Sequence, residues 1–156
     1  MEPDTKALIH SYLSECTLMQ LATSRNDQPW ICNVWFTADK QMQIYWFSAD
    51  HRRHSQEILN NDKVAATIVR PYTTLEIPSG LQLQGKSTMV TDKREITKVF
   101  ELFKKKQFSI QSVIDTMKES GKSFHFYKIK PTLFAVFDTI YFPHKTPLIV
   151  NVHEKN

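Results

Sequence analysis

Apolar positions along this chain follow two periods. Leu8, Ile9, Tyr12 and Leu13 recur at helical spacing and Asp4 stands where a cap belongs, so a short amphipathic helix is expected over residues 4–15. From Thr17 the period drops to two. Leu18, Gln20 and Ala22 fall on one face of a strand over 17–24, and Met19, Leu21 and Thr23 fall on the other. A polar turn around Asn26-Asp27, a strand over 30–37 opened by Pro29, a turn at Asp39-Lys40-Gln41 and a strand over 42–47 continue the meander. A helix follows, with Asp50 or Ser48 as its cap and Ile58 and Leu59 as its apolar side. Residues 63–69 and 81–91 read as two more strands, the second interrupted at Gly85; Pro71, Pro78 and Gly80 break the stretch between them. Asp92 and Glu95 make a capping pair for a helix with Ile96, Val99, Phe100 and Phe103 on one face. Ile110, Val113, Ile114 and Met117 mark a second helix, which Gly121 stops. Two closing strands, 123–130 and 133–142, are expected on either side of Pro131, and residues 144–156 carry no strong signal.

Meander strands with inserted helices predict a mainly β chain with helices (α+β), one domain over 1–156, built as a closed or partly closed antiparallel barrel. A length of 156 residues with 41% hydrophobic content suffices for one core. Three glycines leave no glycine-rich phosphate loop, which argues against a Rossmann or P-loop nucleotide site. The net charge of +4 permits an acidic or phosphorylated ligand but lacks the dense basic stripe of a nucleic-acid binder. Lys104-Lys105-Lys106 reads as a solvated helix end. Cys16 and Cys32 belong to no CxxC pair; with no secretory leader and no apolar run near ~18 residues, free thiols, a cytoplasmic location and no membrane contact are expected.

Candidate chemistry concentrates in Ile44–Asn61, where an aromatic strand runs into a helix whose start carries His51, Arg52, Arg53 and His54. A helix N-terminus already holds partial positive charge, so cations there are unfavourable unless an anion sits among them. Ser48, the free backbone N–H groups and the two arginines then form a phosphate-sized socket. The competing explanation is that the arginines point into water, at a cost of only about 0.3–1 kcal/mol. His51 and His54 stand three apart with no third ligand at a supporting spacing, so no metal is expected. Ser48, Asp50 and His51 are too close in sequence for a catalytic triad. Cys32 reads as an inert core thiol. Trp30, Trp35 and Trp46 are expected in the core or a subunit interface, with Trp46 or Phe47 able to flank a flat ring. Gln82 can donate to a ring carbonyl, although an exposed strand face explains it equally well.

Taken in order, Ala22-Thr23, Gln28-Pro29, Phe47-Ser48, Arg53-His54, Asn61 to Ala65, and Leu81 to Gly85 resemble the pyridoxamine 5'-phosphate oxidase-like family, the FMN-binding split barrel, and within it a bacterial branch. Tyr127-x-Ile129-x-Pro131 is similar to that family's end strand. The resemblance implies a homodimer with two FMN sites at the subunit interface, the flavin phosphate being held at Ser48, Arg53 and His54, with Arg52 beside them. It implies a flavin-dependent oxidoreductase of unknown substrate, in which the cofactor carries the electron chemistry and no catalytic residue is assigned. The chain departs from the oxidases at Cys32 and Thr37, where the resemblance places an arginine and a lysine, and it lacks their late Arg-x-His pattern around Ile140-Tyr141. Pyridoxamine phosphate oxidation is therefore not expected. The alternative is a non-catalytic binding module for another flavin, haem or a phosphorylated ligand on the same fold.

Overall fold

The computed structural model describes residues 4–73, 77, 79–106, 109–142, 144 and 147–152. Its elements run α1 (Thr5–Glu15), β1 (Leu18–Arg25), β2 (Gln28–Ala38), β3 (Ile44–Ala49), α2 (Arg53–Asn60), β4 (Lys63–Val69), β5 (Gly80–Met89), α3 (Lys93–Lys105), α4 (Ile110–Ser120), β6 (Phe124–Phe137) and β7 (Leu148–Asn151). Pro78 and the side chain of Met117 lie outside the described residues.

All strand pairings are antiparallel, in the order β3-β2-β1-β4-β5-β6, and a seam between β3 and β6 closes these six strands into a split barrel. The period-two pattern explains which way the strands face. Met19, Leu21 and Thr23 turn inward and pack with Phe36, Ile44, Ile68 and Phe134, while Gln20, Ala22, Gln82 and Gln84 face out. Each large apolar side chain so buried contributes about 1.5–3 kcal/mol. α1 lays Ile9 and Tyr12 against this core, and the Tyr12 hydroxyl donates to Asp138 Oδ2 at 2.8 Å. A second cluster, Tyr45, Val90, Val99, Phe103 and Ile110, packs α3 and α4 against the barrel wall.

Several expectations are corrected. The two closing strands are one, because Pro131 falls where its missing N–H is not needed. Residues 124–129 of β6 pair with β3 and residues 133–136 pair with β7, leaving Pro131 between the two partners. Opposite it, the β5 register shifts between Gln84 and Gly85, and a Cβ on Gly85 would collide with the Lys130 carbonyl. β6 ends at Phe137 rather than at 142, and β7 lies in a stretch that gave no strand signal. Leu59 is exposed, so Ile58 alone of that pair packs inward. Lys106 is not solvated like Lys104 and Lys105. Its ammonium folds back onto the carbonyls of Leu13, Cys16 and Phe36, where it satisfies the C-terminal end of α1. Burial lowers its pKa to about 8.

Candidate functional site

The end of β3 and the start of α2 bring most of the expected residues together. β3 alternates, so Trp46 turns into the barrel and Phe47 away from it. Trp46 is fully buried, stacks on Tyr127 at 4.3 Å and donates through Nε1 to Ser87 Oγ at 3.3 Å. Phe47 is half-buried against Trp35, Phe103 and Phe126. Trp30 and Trp35 both keep much of their surface exposed.

The helix does not start where Asp50 or Ser48 would cap it. The Asp50 N–H bonds to Ser123 O and the Arg52 N–H to Ala49 O, a turn that delays the first helical residue to Arg53. Arg52 thus occupies the N-cap, and its side chain makes no capping hydrogen bond. Among the described residues nothing accepts a hydrogen bond from the N–H groups of Arg53, His54 or Ser55. Ser48 turns to His54 instead, its Oγ 2.7 Å from Nε2, and both side chains are buried. Burial, and then the neighbouring Arg52 charge, hold the His54 pKa below its ordinary value. His54 is accordingly a neutral ring tied to Ser48 rather than a second cation.

Arg53 is held on two sides, by Glu57 and by Trp30. Its Nε donates to Glu57 Oε1 at 2.7 Å, Glu57 Oε2 accepts from Thr23 Oγ1 at 2.6 Å, and the guanidinium lies 4.3 Å over the Trp30 ring. Burial raises the Glu57 pKa, but the bonds from Thr23 and Arg53 and the charge of Arg53 outweigh it and keep the carboxylate ionised. Thr23 enters the sequence reading only as a strand-face position and as part of the Ala22-Thr23 pair, with no role, and Glu57 not at all; a glutamate four residues after an arginine reads as an ordinary surface pair. Neither position that lacks an expected cation supplies one another way. Cys32 is half-buried, with its thiol pushed up to about 11 by burial and by Glu57, and the Thr37 hydroxyl donates to Leu102 O at 3.4 Å.

Gln82 is not gathered into this cluster. It lies on the outer face of β5 between Thr67 and Ala135, beside a shallow groove of about 410 Å3 floored by Ala22, Ala65 and Ala66. Leu18, Ile31 and Trp35 are exposed on the adjoining β1 and β2. Among the described residues no helix is long and apolar enough to cross a membrane.

The model of the family described as pyridoxamine 5'-phosphate oxidase matches residues 5–136. A UPF0306 protein of Yersinia pestis bv. Antiqua is 26% identical over 94 residues, covering 60% of this chain and 64% of the relative, less than two thirds of that protein. The heme storage protein HutZ from Vibrio cholerae superposes with a TM-score of 0.66 at 16% identity, covering 81% of this chain and 89% of its own. A FAD-binding protein from Mesorhizobium loti gives 0.63 at 12% identity, covering 83% and 89%. The two superpositions show a shared fold.

Proposed function

Because the chain belongs to the pyridoxamine 5'-phosphate oxidase family, we propose that it is a homodimeric, FMN-binding protein of oxidoreductase type. The observation that carries this reading is the start of α2. A helix end with unfilled N–H groups, Arg52 at its cap and Arg53 in its first turn suits a phosphate group better than it suits water. Arg52, Arg53 and the first-turn amides would hold the phosphate, and Ser48 would fix the neutral His54 beside it. A bound flavin would supply the electron-transfer chemistry, and this chain would bind, orient and shield it. Phe47 and Trp35 supply flat apolar surface near the end of β3. Gln82 reaches such a ring only from a second copy whose outer face meets this end of the barrel, and exposed Leu18, Ile31 and Trp35 give that face apolar character. Pyridoxamine phosphate is not proposed as the substrate.

A second reading, a binding module for haem or another planar ligand, is favoured by Cys32 and Thr37, which leave the socket fewer cations than the oxidases have. The test is the visible spectrum of the purified protein before and after adding FMN and passing it through gel filtration. A retained flavin spectrum is expected. A haem band in its place selects the second reading, and a colourless protein that retains no FMN removes the first.

A further inference from the structure

Three lysines stand in one line across the outside of the barrel. Lys63 on β4 is the direct partner of Lys86 on β5, and Lys86 is the direct partner of Lys130 on β6. Residues paired in this way project from the same face of a sheet about 5 Å apart, so the row is about 10 Å long. All three side chains are exposed. Like charges set directly opposite one another destabilise a sheet, and here the arrangement occurs twice in succession. Among the described residues only Lys86 of the three has an acidic partner, Asp62 at 3.7 Å, and both groups of that pair are exposed. Such a contact offsets little of the repulsion. The same fold matches Lys128, two residues from Lys130 on β6, to Glu95 at 2.7 Å. The row is therefore left positive beside a lysine that is fully paired.

The surface around the row is low. The Thr132 hydroxyl turns down to donate to the Gln84 carbonyl at 3.3 Å, and a cleft of about 500 Å3 beside the row is lined by Ala22, Ala65, Gly85 and Thr132, with Lys63 and Lys86 at its margin. A single carboxylate or phosphate meets one or two of these ammoniums but not the whole line. The complement of the line is a stiff support that carries negative charges at the same interval. Acidic residues at i, i+4 and i+7 of a helix are such a support. Their neighbours stand about 5–6 Å apart, and i to i+7 spans about 10.5 Å along the axis. A helix lying at right angles to the strands sets one carboxylate over each lysine and leaves the cleft for a neutral side chain beside them. We propose that Lys63, Lys86 and Lys130 form a docking surface for a partner protein that lays an acidic helix across β4, β5 and β6. The row lies at the end of the outer face remote from Leu18 and Trp35, and the proposal does not rest on the flavin reading.

The experiment titrates the full chain into a fluorescent, covalently stapled helical peptide with glutamates at i, i+4 and i+7, followed by anisotropy. A second stapled peptide of the same composition carries its glutamates spread around the helix. The aligned peptide is expected to bind more tightly than the spread one, and to bind less tightly as salt is added. Lys86→Gln is expected to lower that affinity about three- to tenfold, whereas Lys118→Gln, at the exposed end of α4, leaves it unchanged. Lys86→Glu should abolish binding of the aligned peptide, and a peptide with lysine in place of its central glutamate should recover binding on that variant. An aligned peptide that does not bind, equal affinities for the two peptides, or no effect of Lys86→Gln overturns the proposal. Single-stranded DNA that displaces the aligned peptide at a lower concentration than unlabelled peptide does also overturns it, because the row then serves polyanions and not an acidic helix.

Discussion

α2 and α3 are two helices of one chain that start in opposite ways. α3 follows every local rule: Asp92 caps it by accepting from the Glu95 N–H at 2.8 Å, Glu95 lies in its first turn, and Lys104 and Lys105 close its last. Glu95 goes on to bind Lys128 at 2.7 Å and the Tyr45 hydroxyl at 3.0 Å, and Lys98 reaches Asp39 at 2.6 Å. Glu95, Lys98, Glu101 and Lys104 each have a partner of opposite charge. α2 has an arginine for a cap, no acid in its first turn, and unfilled N–H groups. A chain that caps α3 so fully has not failed to cap α2 for want of the means. α4 also starts without a side-chain cap bond, but only α2 adds arginines where an acid is preferred, and there function is the first explanation to test.

The comparison can be broken or sharpened in order of effect. Asp39→Ala, on the α3 side, removes a buried carboxylate that accepts from Lys98, Tyr45 and the Gln41 and Gln43 amides. It is expected to cost about 3 kcal/mol of unfolding free energy in urea titrations while leaving FMN affinity unchanged. A large loss of FMN binding there would end the contrast between the two ends. Next come the caps as a mirrored pair. Asp92→Ala should lower stability by about 1 kcal/mol, whereas Arg52→Ser, which gives α2 the cap it lacks, should raise it by about 1 kcal/mol and weaken FMN. Should Arg52→Ser destabilise the protein, the arginine is holding structure rather than awaiting a ligand. The smallest effect is on pH. His54 titrates below its unfolded value of 6.5 and Glu57 below 4.5, so for each the unfolded chain binds protons first as the pH falls. Stability should be level only between about pH 6.5 and 8, below the range in which Lys106 titrates; it should fall through the His54 range and further below 4.5, and His54→Gln should remove only the earlier of these declines.

The same contrast marks what could be read from the chain. The split barrel is legible because β1, β4 and most of β5 alternate between an inner and an outer face, and Gly85 marks where the register shifts. Pro131 misled: a proline inside a strand usually ends it, but here it sits where β6 changes partners, a fact set by pairing across the chain. The cations of α2 were visible as an anomaly, and so was Ser48. That Ser48 belongs to His54, and that the Arg53–Glu57 pair is tied to Thr23 and Trp30, depends on four elements meeting, β1, β2, β3 and α2, of which local spacing reveals only the pair itself. Lys106 was misread for the same reason, since the carbonyls it serves end a helix at the other extremity of the chain.

The β3–β6 seam bears on how the molecule is made. Ile44 meets Ile129 there, with three helices and two strands of chain between them, so the barrel cannot shut until most of the polypeptide is in place. The meander of β1 to β3 pairs locally and forms early, while the seam waits on a long loop closure that slows folding. On a ribosome, the unjoined edge of β3 stands open until β6 emerges, and during that interval the nascent chain is most exposed to mispairing with a neighbour.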